Sequence, residues 1–200
     1  MLGRLLRSEE KRVVSAADTV GSATSSTVHG DHGRPRAIAL FAAGRDWEAS
    51  RAFERARNSG ALDAECLRKL GWARFASGDA AGAEAAMREA LVRAPYEWAS
   101  HYGVGAVLRG RDDHVAMTEF VAALELATGN VDCLLALSSC AQALGDASAA
   151  ERYARDALAV ASGRRDAWLA LGVALLAQER LQEAHDAFAR AEMLTDETFG

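Results

Sequence analysis

The chain has 200 residues, half of them apolar and 26% charged, with a net charge of -5. This is ordinary for a soluble globular protein and long enough for a real core. The acidic balance argues against nucleic acid as a partner, because a phosphate-binding surface needs clustered Lys and Arg, and no uncharged apolar run reaches the roughly 18 residues of a membrane span.

The charge is uneven. Residues 1–36 carry six basic and four acidic side chains, whereas the remainder is strongly acidic. The opening "MLGRLLRSEEKRVV" has no apolar stretch long enough for a secretory signal. Its Arg and Leu suggest a presequence, but Glu9 and Glu10 weaken that reading. Leu2, Leu5, Leu6, Val13 and Ala17 could form one face of a short amphipathic helix. Residues 15–36, rich in Ser, Thr, Gly and His, read as a flexible tether. Residues 1–29 are therefore expected to be a flexible or partly helical segment.

From residue 30 onward the sequence repeats. Ala49, Ala83, Ala116, Ala150 and Ala184 recur at intervals of 34, 33, 34 and 34. Seven residues after each stands Ala56, Ala90, Ala123, Ala157 and Ala191. Four residues after each stands Phe53, Met87, Phe120, Ala154 and Phe188. Composition alone could scatter alanines, but it would not place a large apolar residue at one phase in four units of five. Each unit reads as two helices. In "AECLRKLGWARFAS", Leu67, Leu70, Gly71 and Arg74 form a helical stripe. Gly78 can end that helix in the left-handed conformation, and Asp79 can cap the next. Ala83, Met87, Ala90 and Leu91 form the second stripe, closed by Pro95.

These columns resemble the tetratricopeptide repeat family, whose unit is a 34-residue helix–turn–helix. The fifth unit carries the family pattern most fully: Trp168, Leu171-Gly172, Leu175, Ala184, Phe188 and Ala191. The second has Leu67, Leu70-Gly71, Ala83, Met87 and Ala90. The third has Val104-Gly105, Leu108, Ala116, Phe120 and Ala123, with a turn one residue short. The fourth departs twice, with Ser138 where Gly is usual and Ala154 where an aromatic is usual. The first is degenerate in its first helix, with Gly33 and Arg36 at large-residue positions. The resemblance implies an all-α, right-handed superhelical solenoid of antiparallel helix pairs over residues 30–198, with repeats at about 30–63, 64–97, 98–130, 131–164 and 165–198. The residue after the last alanine of each unit runs Arg57, Leu91, Leu124, Leu158 and Glu192, so the first junction should be loose and the fifth unit should end polar.

No catalytic constellation emerges. "YGVGAVLRG" lacks the third glycine of a dinucleotide loop, where Leu108 stands, and no strand precedes it. His29, Asp31 and His32 lack a fourth ligand, so no metal site is assigned. Asp112 and Asp113 read as a helix cap. Cys133 and Cys140 lie seven residues apart on one predicted helix, roughly 10 Å along its axis, too far for a disulfide. Reduced thiols in a cytoplasmic protein are the plainer reading of the three cysteines. No cofactor is expected.

The family resemblance implies that the first helix of each pair lines a concave groove that binds peptide segments. On this chain that helix presents Arg34, Ile38 and Phe41; Arg68, Trp72 and Phe75; Tyr102, Ala106 and Arg109; Leu135, Ser139 and Gln142; and Leu169, Val173 and Leu176. The Asn positions of the family's carboxylate clamp are filled by apolar side chains such as Ile38 and Trp72, which argues against a chaperone-tail ligand. A hydrophobic or amphipathic segment is the expected ligand, with Arg34, Arg68 and Arg109 available to its acidic groups. Trp72 is expected to be at least partly exposed.

The leading expectation is thus a bacterial, non-enzymatic protein-interaction scaffold whose partner the sequence does not name. One alternative is the repeat region of a larger enzyme of glycosyltransferase or sulfotransferase type. Another is a secretion chaperone, and a homodimer through the N-terminal segment or the last repeat is a further expectation. The 21 arginines against two lysines suggest a GC-rich source.

Overall fold

Short polar turns stop one helix and start the next. In the computed structural model, which describes residues 33–60 and 62–196, they separate ten helices: α1 (Arg34–Ala42), α2 (Asp46–Ser59), α3 (Ala64–Ala76), α4 (Ala80–Arg93), α5 (Trp98–Leu108), α6 (Asp113–Leu126), α7 (Val131–Ala143), α8 (Ala147–Val160), α9 (Arg165–Ala177) and α10 (Leu181–Asp196). The N-terminal segment 1–29 and the His29–Asp31–His32 trio lie outside the described residues.

The turn between α3 and α4 shows how the chain reverses. Gly78 takes φ +86°, a conformation that costs an L side chain about 1–2 kcal/mol. Asp79 Oδ1 then accepts the Gly82 amide at 2.9 Å, meeting one of the four amide donors that a helix start leaves open. Asp63, Asp112, Asn130 and Asp146 cap α3, α6, α7 and α8 in the same way. Asp113 instead accepts the Gly110 amide within the turn (2.8 Å).

The chain forms two compact bodies that meet in sequence at the end of α5, between Val107 and Leu108. In the first body α1 packs on α2, α2 on α3, α3 on α4, and α1 lies beside α3. In the second, α6 packs on α7, α7 on α8, α8 on α9, α9 on α10, and α7 lies beside α9. Short connections leave sequential helices no choice but to run antiparallel. The stretch expected as the third repeat contributes α5 to the first body and α6 to the second.

The alanine columns form the cores of both bodies. Ala49, Ala56, Ala83, Ala90, Ala116, Ala123, Ala150, Ala157, Ala184 and Ala191 are all buried, as are Phe53, Met87, Phe120 and Ala154. A methyl side chain at these positions lets two helix axes approach closely, and the large residue between them fills what remains. Met87 shows the fit. A β-carbon built at Gly71 of α3 would lie 2.8 Å from its Cε, and one at Gly103 of α5 would lie 2.7 Å from its Sδ. Met87 therefore wedges between the first helix of its own pair and the first helix of the next. In the last pair, a β-carbon at Gly172 would lie 2.5 Å from Phe188 Cε1.

The fourth pair solves the same problem with different residues. Ser138, in the glycine column, is fully buried, and its hydroxyl donates to the Ala150 carbonyl at 2.9 Å. Ala154, in the aromatic column, is also fully buried. The two departures seen in the sequence are one exchange: the larger residue on the first helix is matched by the smaller one on the second.

The first junction is ionic where a leucine is missing. Arg57 meets Glu89 of α4 at 2.6 Å, and Glu54 of α2 meets Arg74 of α3 at 2.6 Å. With Phe53, Leu62 and Leu67 buried in the same body, the expectation of a loose contact between the first two pairs is replaced by one of ion pairs. Glu192, at the other end of that column, is exposed as expected.

Candidate functional site

The first helices of neighbouring pairs lie side by side, so residues four and seven apart on each form adjoining stripes. In the first body these helices are α1, α3 and α5. Arg34 on α1 reaches across to Asp63 and to Cys66 Sγ (3.8 Å) at the start of α3. The Arg68 side chain is nearly buried and donates to Glu97 at 2.7 Å and to Ser100 Oγ at 3.5 Å. These two guanidiniums tie elements of the chain together. The sequence expectation that they stand available to a ligand's acidic groups is corrected by their pairing.

Trp72 is also corrected. It is 8% exposed, its indole edge-on to the half-buried Phe75 with centroids 6.5 Å apart. The reason is positional. With α1, α2 and α4 packed around α3 and α5 beside it, where Arg68 reaches Ser100, the whole run Leu70–Ala73 is buried. Phe41 and Tyr102 are buried as well, and Tyr102 lies edge-on to Trp98 at 6.1 Å. Ile38 remains at the surface, 37% exposed.

The second body differs. Gln142 on α7 donates to the Ala170 carbonyl of α9 at 3.2 Å, which clamps the two first helices together. Beside this clamp, α9 presents half-buried Leu169 and exposed Val173 (42%) and Leu176 (49%) at positions i, i+4 and i+7. On α7, Leu135 is half-buried against Leu134, Ala157 and Ala167, and Ser139 is half-buried. Arg109, at the entry to this body, is partly exposed. The apolar character foreseen over the whole series is thus concentrated at the surface of α9, with a hydrogen-bonding Gln142 at its edge.

Ion pairs and buried acids brace this surface from behind. Arg164 bridges Asp132 of α7 (2.9 Å) and Asp166 of α9 (2.6 Å), and these acids raise its pKa. Glu151 of α8, almost buried, accepts from Gln178 Nε2 (2.7 Å) and Arg180 (2.7 Å) and pairs with Arg155. Burial pushes the Glu151 carboxyl up, but the hydrogen bonds from Gln178 and Arg180 and the charges of Arg155 and Arg180 outweigh it. Its pKa lies below the ordinary value. Burial, with help from Asp63, raises the Cys66 thiol to about 11. Burial and Asp132 raise Cys133 to about 12, and burial and Asp113 raise Cys140 to about 11. All three thiols are unlinked and protonated at neutral pH. Among the described residues no three His, Cys, Asp or Glu side chains are grouped to hold a metal ion, and no helix is long and apolar enough to cross a membrane.

A feature that sequence reasoning passed over lies on α2. Trp47, which belongs to none of the repeat columns, is 61% exposed with the Arg51 guanidinium 4.9 Å from its ring centroid. Its position N-terminal to the buried Ala49 stripe was the available signal.

The paired helices and their alanine columns are matched by a family model described as tetratricopeptide repeat, over residues 34–97 and 135–196. The chain belongs to the tetratricopeptide repeat family. Solved structures share its architecture. MamA from Desulfovibrio magneticus RS-1, from position 41 to its end, is 18% identical and superposes with a TM-score of 0.77, covering 86% of this chain and all of that one. Another MamA crystal structure is 19% identical with a TM-score of 0.72, over 86% of this chain and 98% of that one. A thermophilic tetratricopeptide protein of Thermus thermophilus is 22% identical with a TM-score of 0.65, over 80% of this chain and 88% of that one. A search of curated protein sequences finds no match. The fold is all-α, with antiparallel helix pairs stacked as in a tetratricopeptide solenoid.

Proposed function

We propose that this tetratricopeptide protein is a non-catalytic interaction module that holds a hydrophobic or amphipathic segment of a protein partner against the first helices of its repeats. The observation that carries this reading is the apolar stripe on α9, where Val173 and Leu176 stand 42% and 49% exposed beside Leu169. Two neighbouring branched side chains left in water on a helix that is otherwise the buried partner of α7, α8 and α10 offer surface whose burial favours association, at about 25 cal/mol per Å². Gln142 at the edge supplies a polar group that can fix a bound backbone. Three unlinked thiols support a reducing, cytoplasmic setting.

The test uses substitutions at the exposed positions, since Trp72→Ala or Tyr102→Ala would open a cavity in the core instead. Wild type and a Val173→Asp/Leu176→Asp variant, matched in circular dichroism, are compared in quantitative pull-downs. Each retained protein is then titrated as a purified component. Loss of binding in the variant is expected. Unchanged affinity would remove α9 from the binding surface.

A further inference from the structure

Among the described arginines of the first body, Arg36, Arg51 and Arg55 make no ion pair, and the last two stand together on α2. Arg34, Arg68 and Arg74 all engage carboxylates of the chain itself. Arg51 and Arg55 are exposed and make no ion pair among the described residues. They stand four apart on α2, with Trp47 four residues before Arg51, so the three side chains form a single stripe on the face opposite the buried Ala49, Ala52, Phe53 and Ala56. The stripe borders a pocket of about 550 Å³, closed on the far side by Arg74 and by the turn that leads into α4.

The chemistry of this pocket is specific. Its two carboxylates, Glu54 and Asp79, both face Arg74, at 2.6 and 3.7 Å, and Arg74 also donates to the Gly82 carbonyl at 3.0 Å. Arg74 offsets only one of these two carboxylates, so the lining formed by Arg51, Arg55, Arg74, Glu54 and Asp79 carries net charge +1, with Arg51 and Arg55 as the cations that meet no carboxylate of the pocket. Stacking on the Trp47 face holds the Arg51 guanidinium in place while its N–H edges stay free for a two-pronged bond to a carboxylate. The exposed remainder of the indole is an apolar platform of the kind that anchors interfaces.

We infer that Trp47, Arg51 and Arg55 form a second docking site, for an acidic peptide segment of a partner protein in which two carboxylates flank an apolar side chain. The carboxylates meet the two guanidiniums, whose Cβ atoms are about 5–6 Å apart as those of i and i+4 neighbours on a helix are, and the apolar side chain rests on Trp47. A polyphosphate strand, charged at every unit, is repelled more than a peptide with two carboxylates by the chain's net charge of -5 and by Glu54 and Asp79 on the wall behind. The site is on α2, in the first body, and α9 has no part in it.

The experiment uses the full chain and an array of short peptides with two Asp or Glu around one Leu or Phe at varied spacing, beside copies carrying Asn or Lys in place of the acids. Fluorescein-labelled versions of the strongest binders are then titrated by anisotropy. Acidic peptides should bind in preference. Their affinity should fall by about tenfold or more in Arg51→Glu/Arg55→Glu and in Trp47→Ala, and should weaken as salt is raised. It should be unchanged in Val173→Asp/Leu176→Asp, which separates this site from the proposed groove. All three positions are exposed, so circular dichroism should match wild type. The inference is overturned by equal binding of acidic and neutral peptides or by full affinity in the charge-reversed variant. It is also overturned if a single-stranded oligonucleotide binds as tightly through the same arginines.

Discussion

Replacing Gly172 with alanine tests the packing argument at its tightest point. The added β-carbon would lie 2.5, 2.7 and 2.8 Å from three atoms of the Phe188 ring. Ordinary contact is about 3.4–4 Å, so ring and helix must part by roughly 1 Å, and overpacking of this kind costs about 1–3 kcal/mol. Against this, alanine inside a helix is favoured over glycine by about 1 kcal/mol. The net expected loss is therefore about 0–2 kcal/mol. With Phe188→Ala the ring is gone, and the same Gly172→Ala change should stabilise by about 1 kcal/mol from helix propensity alone. The double-mutant cycle should then show a coupling of about 1–3 kcal/mol. Urea unfolding followed by circular dichroism supplies the free energies. Tryptophan fluorescence, to which Trp168 of α9 contributes beside Trp47, Trp72 and Trp98, can follow the same unfolding. Additivity within about 0.5 kcal/mol would refute the claim that this glycine exists to admit the ring.

Three further outcomes follow from the same coordinates. Glu179, exposed at φ +61° in the column that glycine occupies in other turns, should give about 1 kcal/mol of added stability when changed to Gly, measured by the same urea titration. Glu151, Asp63 and Glu183 all have folded-state pKa values below ordinary. Their contribution is complete above the unfolded values, about 4.3 for Glu and about 3.9 for Asp, and is lost as pH falls through the lower folded values. Stability should accordingly drop on acidification in that window. Glu151→Gln should cost about 2 kcal/mol near neutrality and flatten part of the acid slope. The three thiols, raised to about 11, 12 and 11, should react with Ellman's reagent only slowly at neutral pH and quickly in denaturant. Fast labelling of the native chain would contradict their burial.

The repeat was legible in the sequence because each helix pair solves the same contact problem. Ala83, Met87 and Ala90 meet neighbours that recur 33 or 34 residues away, so the constraint is written again at each interval. Helix ends were legible for a local reason: Asp79 bonds an amide three residues on, and Gly78 sets its own φ. The candidate face was legible as a set of positions, since the phase of Leu70-Gly71 or Leu171-Gly172 states which residues share a stripe.

What each position does there was decided only in three dimensions. Arg34 and Arg68 lost their freedom to Asp63 and Glu97, each 29 residues distant, a pairing no local pattern specifies. Trp72 is covered and Val173 is not, although both occupy first helices, because α3 lies between α1 and α5, with Arg68 reaching Ser100 of α5, whereas α9 has only α7 as a neighbouring first helix among the described residues. Ser138 and Ala154 looked like two defects in the repeat and became one compensated exchange once the buried hydroxyl was seen to reach Ala150. The sequence by itself determined the periodic scaffold, since nearest-neighbour packing repeats its demands along the chain. The choice of which polar and aromatic side chains remain in water was left to the tertiary structure, because exposure depends on everything that surrounds a residue and not on its phase alone.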